Sequence, residues 1–197
     1  MMMDIAEADA IDTVEVASVA EWRDWLIDHH SHDKDIWLLI HRDHHGDTIV
    51  PVHDLLDEAL CFGWTDGRQC HDEDESRMML LMSPPGMQPW VQHHKDRIGQ
   101  LTEAGRMEPA GQAAVMRAKE NGSWYFMDDV DALIVPGDLV QALAALPDAI
   151  SRFGSFSPSS VRDVLCWIKL SGTPETRALR VAQTATLAAT KAALPQI

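Results

Sequence analysis

The sequence predicts an α+β fold: a small antiparallel sheet with packed helices in the N-terminal half, continuing into a helical C-terminal half. Three observations carry this. Ile36 to Ile40 is a continuous apolar run of strand length. After Gly63 the pattern changes from helical to alternating spacing. From Pro84 onward helical periodicity returns, repeatedly opened by proline.

The elements follow in order. Residues 1–14 read as a disordered acidic tail. Ser18 and Glu21 have capping-box spacing, and Trp22, Trp25 and Leu26 share a helical face, so a helix is expected over about 18–29. The Ile36–Ile40 strand runs into a turn at 42–47, and Thr48 to Val50 is expected to pair back as a short strand. Pro51 opens a helix with the stripe Leu55, Leu56, Ala59 and Leu60. Two strands follow, 64–71 and 77–83, joined by the acidic turn 72–75 and paired as a hairpin. On the first, strict alternation puts Trp64, Asp66 and Arg68 on one face. Helices are then expected from Pro89 to Gly105, Pro109 to about Gly122, Asp138 to Leu146, Pro158 to Leu170 and Pro174 to about Ala193. The organisation expected is an α+β core over 15–135 and a helical region over 136–197.

Lys plus Arg number 16 against 31 Asp plus Glu, a formal charge of −15 that repels phosphate backbones and anionic membranes. No nucleic-acid or membrane partner is expected; the partner is a small molecule or a protein. The apolar fraction of 46% and seven tryptophans predict a packed globule. Three cysteines suggest no disulfide framework, and the acidic start resembles no signal peptide, so a cytoplasmic protein is expected.

The residues best suited to chemistry come from three segments: Trp64, Asp66 and Arg68 on the strand; Ser83 at the start of a Pro-Pro-Gly bend; and Trp90, His94 and Arg97 at one side of the following helix. Together they are expected to surround one hollow, with apolar walls and a few convergent polar groups. The plainer expectation beside this is that Trp64 and Trp90 are core, and that Asp66 forms an ion pair with Arg68 or Arg97. All ten histidines precede residue 95, but neither His41-x-x-His44-His45 nor Cys70-His71 with Asp72 and Asp74 has a specific ligand spacing. No metal and no cofactor is therefore expected. Phosphate loops, nucleophile elbows and His-Glu-x-x-His are not found, so no catalytic role is assigned.

Four ordered motifs resemble the YdeI/OmpD-associated, or bacteriocin-protection, family, from about Trp22 to Ala189. Glu58 to Gly67 is similar to its EALCFGWIDG, and Leu81 to Pro84 to its strand-ending F-S/T-P. Arg97 with Gly105 to Gly111 resembles its R-x-x-x-L-x-x-x-GRM-x-PAG, and Trp167-Ile168 with Thr173 to Arg177 its W/R-I…KPETR close. This chain departs by carrying Pro85, Gly86 and Met87 where the family has basic residues, and His93-His94 within its W-S-x-x-N stretch. The resemblance implies a stress- or bacteriocin-tolerance protein that binds a small ligand or partner; it assigns no catalytic residue. An enzyme acting through a Trp64/Asp66/Arg68/His94/Arg97 cleft is the alternative expectation.

Overall fold

The computed structural model describes residues 11–43, 47–71, 76–86 and 89–190. The expected turn at 72–75, His44 and His45, and residues 191–193 of the last helix lie outside them, as does the tail up to residue 10. The chain divides into two compact units, 2–126 and 127–197.

The first unit is built on a four-stranded sheet of order β1-β2-β4-β3: β1 is Asp12–Val16, β2 Ile36–His41, β3 Thr65–His71 and β4 Arg77–Ser83. The predicted hairpin is present, β4 also pairs antiparallel with β2, and β1 adds to β2 in parallel. The sheet is thus mixed, and residues 12–14, expected in the tail, form part of an edge strand. A parallel neighbour needs a crossover, and α1 (Val19–His29) supplies it. The expected strand at 48–50 reduces to a single bridge between Arg42 and Thr48.

The Ser18 hydroxyl accepts from Glu21 N at 3.1 Å and starts α1. Trp22 and Leu26 then enter the core, and Trp22 Nε1 donates to the Leu55 carbonyl at 3.0 Å. That bond ties α1 to α2 (Val52–Cys61), whose buried Leu55, Ala59 and Leu60 meet Leu38, Ile40 and Met82 of the sheet. Two further helices, α3 (Gln92–Glu103) and α4 (Pro109–Asn121), complete the unit; Ile98 and Leu101 of α3 and Ala118 of α4 close its core. Gly122, at φ 83°, ends α4 in the left-handed conformation that glycine adopts without a Cβ clash.

The second unit is helical among its described residues: α5 (Asp128–Asp131), α6 (Gly137–Ala144), α7 (Ala149–Phe153), α8 (Pro158–Lys169) and α9 (Pro174–Thr190). Its core is Leu139, Leu143, Phe153, Val164, Ile168 and Ala185. Both predicted cap pairs are formed: Ser157 accepts from Ser160 N at 3.2 Å and Thr173 from Thr176 N at 3.1 Å. Arg177 pairs with Asp138 at 2.8 Å, and the Arg180 guanidinium lies 5.1 Å over the Trp167 ring. The Thr173-Pro174-Glu175-Thr176-Arg177 motif thus caps α9 and pairs it with Asp138 of α6. Among the described residues no helix is long and apolar enough to cross a membrane.

Candidate functional site

The junction from α2 to β3 is held by backbone contact and buried charge. Gly63 turns at φ 85°, and a Cβ there would stand 2.6 Å from Cβ of Ala114 on α4. A Cβ on Gly111 would stand 2.2 Å from the Cys61 carbonyl, which accepts from Glu108 N at 3.0 Å. The Glu-Ala-Leu-Cys-Phe-Gly-Trp and Glu-Pro-Ala-Gly stretches are thus two halves of one helix-on-turn contact.

Charge binds the same junction. Asp57 and Glu58, nearly fully buried on α2, accept from three arginines. Arg97 grips Asp57 with two nitrogens, Nε at 2.5 Å; Arg106 reaches Asp57 at 3.0 Å and Glu58 at 2.7 Å; Arg23 donates to Glu58 at 2.5 Å and to Glu108. The Arg97 hydrogen bonds outweigh burial and hold Asp57 below the usual carboxylate range. Burial, reinforced by the Glu58 charge, pushes the Cys61 thiol up to about 11.

Of the seven expected site residues, the structure brings some together and separates others. Asp66 stands opposite Met82 and Gln69 opposite Leu80, so Gly67 and Arg68 both face Leu81 in a β-bulge. The bulge reverses the alternation after Asp66, and Arg68 is exposed on the other face of the sheet. Arg97, committed to Asp57, is likewise not part of an Asp66 cluster. Trp64 is wholly buried. Asp66 and His94 do meet, Oδ1 to Nε2 at 2.9 Å. Burial opposes ionisation of Asp66, but the hydrogen bond and charge of His94 prevail and its pKa is lowered. His93 stands beside His94, ring centroids 4.1 Å apart.

Trp64 and Ser83 lead to a second place. The His32 ring stacks on Trp64, centroids 6.2 Å apart and planes 11° apart, and Trp25 meets Trp64 edge-on at 5.6 Å. His32 lines a hollow of about 350 Å³. Its walls are the segment 30–33 after α1, the bend Pro84-Pro85-Gly86 after β4, and Arg117 of α4. A smaller hollow of about 80 Å³ shares Pro85, Gly86 and Arg117 and is bounded by Trp90. His32 Nε2, on a residue that lines the larger hollow, is buried and has no hydrogen-bond partner; Trp64 Nε1 and Ser83 Oγ are in the same condition but belong to residues outside its lining. His32, Arg117 and the Pro-Pro-Gly bend as a joint lining were not anticipated from sequence. The only signal was Ser83-Pro84-Pro85-Gly86, a stiff bend with a hydroxyl at its start.

In the helical unit, Trp167 of α8 and Ala182, Gln183, Thr186 and Leu187 of α9 border an open groove of about 530 Å³. It is larger but mainly apolar, and among the described residues its lining carries no charged side chain to orient a ligand.

These features define a two-part α+β protein: a mixed-sheet unit with a lined hollow, and a helical unit. Residues 14–114 match the family described as Domain of unknown function (DUF8412), just over half of the chain, and the chain belongs to that family. Residues 132–191, within the helical unit, match the family described as Bacteriocin-protection, YdeI or OmpD-Associated, in agreement with the resemblance. The Glu58 to Gly67 motif falls within the first match. No curated protein and no solved structure matches the chain.

Proposed function

We propose that this protein binds a small, carboxylate-bearing molecule in the hollow between the end of α1, the Ser83–Gly86 bend and Arg117. The observation that carries this is a lining that joins His32, whose buried Nε2 has no hydrogen-bond partner, to the cation of Arg117. Buried polar groups are nearly always paired, and an imidazole nitrogen can donate when it carries a proton. A ligand with acceptor oxygens would satisfy His32 Nε2, and exposed Arg117 supplies a matching cation in the same lining. A volume of about 350 Å³ suits a small metabolite.

The bacteriocin-protection match of the helical unit supports a stress-tolerance setting. Three free cysteines support a reducing, cytoplasmic compartment. The enzyme reading rests on the Asp66–His94 hydrogen bond alone, since Arg68 and Arg97 turn elsewhere and neither Asp66 nor His94 lines the hollow.

A thermal-shift screen of small mono- and dicarboxylates and amino acids tests the proposal. A ligand at about 100 times its Kd raises the melting temperature by about 5 °C or more, and Arg117→Ala removes the effect. Silence across the panel would contradict it.

A further inference from the structure

Asp66, His93 and His94 bring one ligand atom each to within 4.8 Å of one another. Asp66 is the last in-register residue of β3 before the bulge, while His93 and His94 occupy the first turn of α3. The ring of His94 is buried and meets Trp90 edge-on at 6.4 Å, so its place is set by packing. Its Nε2 has Asp66 as partner; its Nδ1 is buried and has none.

We propose that Asp66, His93 and His94 form a binding site for one divalent transition-metal ion of the zinc type, separate from the carboxylate hollow. Two imidazoles and a carboxylate are a donor set that suits zinc and its first-row neighbours; magnesium and calcium prefer all-oxygen surroundings. Ligand atoms held tetrahedrally at zinc distances lie about 3.3 Å apart. The 2.9 Å between His94 and Asp66 is already close to this. Exposure is graded across the site: His94 buried, Asp66 partly buried, His93 exposed. An ion would enter from the His93 side and keep water in its remaining position, as three-ligand zinc sites do. The net charge of −15 favours its approach.

The test uses tag-free full-length chain stripped with a chelator, titrated with Zn²⁺ by calorimetry and with Co²⁺ by visible spectroscopy. One equivalent of each should bind, cobalt with the d–d bands of a four-coordinate ion, and excess Mg²⁺ or Ca²⁺ should not compete. His93→Ala, at an exposed position, and Asp66→Asn, whose amide oxygen still accepts from His94, should each weaken Zn²⁺ by at least about tenfold. His29→Ala/His30→Ala should leave affinity unchanged. Absence of a stoichiometric site, competition by Mg²⁺, or wild-type affinity in both ligand variants would overturn the assignment. Circular dichroism confirms that the variants are folded, and His93→Ala alone decides if Asp66→Asn is not.

Discussion

The imidazole of His32 lies nearly parallel to the indole of Trp64, ring centroids 6.2 Å apart and planes 11° apart. The stack joins the hollow to the core, because His32 lines the one and Trp64 is sealed in the other. His32→Ala should therefore separate binding from folding. Loss of an aromatic pair costs about 0.5–1.5 kcal/mol, a modest drop in urea midpoint, whereas binding of any carboxylate found by thermal shift should be abolished. Retained affinity would place that ligand elsewhere.

Gly111→Ala and Gly99→Ala should have opposite signs. At Gly111 the added Cβ meets backbone, the Cys61 carbonyl, at 2.2 Å, so α4 must move off the α2 turn. A loss of about 3 kcal/mol or more, or failure to fold, is expected. Gly99 lies inside α3 with nothing within 4 Å of its Cβ position, and alanine there should stabilise by about 0.5–1 kcal/mol. Paired urea denaturation curves check both.

Glu58→Ala should cost about 1–3 kcal/mol, since it removes buried acceptor oxygens from two arginines. The cost is limited because Arg23 and Arg106 are 37% and 40% exposed and rehydrate.

The same network makes stability pH-dependent. Arg97 lowers the Asp57 pKa in the folded chain below its unfolded value. The contribution of Asp57 is therefore full above about pH 4 and is lost as pH falls through the folded value. Urea midpoints measured from pH 7 to pH 3 should fall at the acid end. Asp57→Asn should flatten that fall, and an unchanged profile would exclude Asp57 as its source.

Cys61 should resist modification in the native state. Its thiol is buried and raised to about 11, so almost no thiolate is present at pH 8. Maleimide labelling followed by mass spectrometry should find Cys61 modified only after unfolding, with the partly exposed Cys70 reacting first.

Much of the fold was legible locally. The change of period at Gly63, the strand Arg77–Ser83 and the cap-then-proline starts of α8 and α9 depend on nearest neighbours in sequence. β1 was hidden because Asp12-Thr13-Val14-Glu15-Val16 is short and acidic, and becomes a strand only beside β2. The five-residue α7 is too short to show a period. The bulge at Gly67-Arg68 is a property of pairing with β4, although a glycine inside a strand pattern is its usual trace. The ion-pair network of Asp57 and Glu58 was not legible, since only the fold brings Arg23, Arg97 and Arg106 to them. The meeting of Asp66 with His94 was legible as two polar residues expected on one side. The hollow was not, because its walls come from segments about 50 and 85 residues apart in sequence.

Amide chemical-shift mapping of the ¹⁵N-labelled chain, titrated with the small carboxylates that stabilise it, tests the central claim most directly. The account predicts saturable shifts concentrated at residues 30–33, 86 and 117, lost in Arg117→Ala. Shifts clustering instead around Trp167 and Leu187, or no saturable shift with any carboxylate, would contradict it.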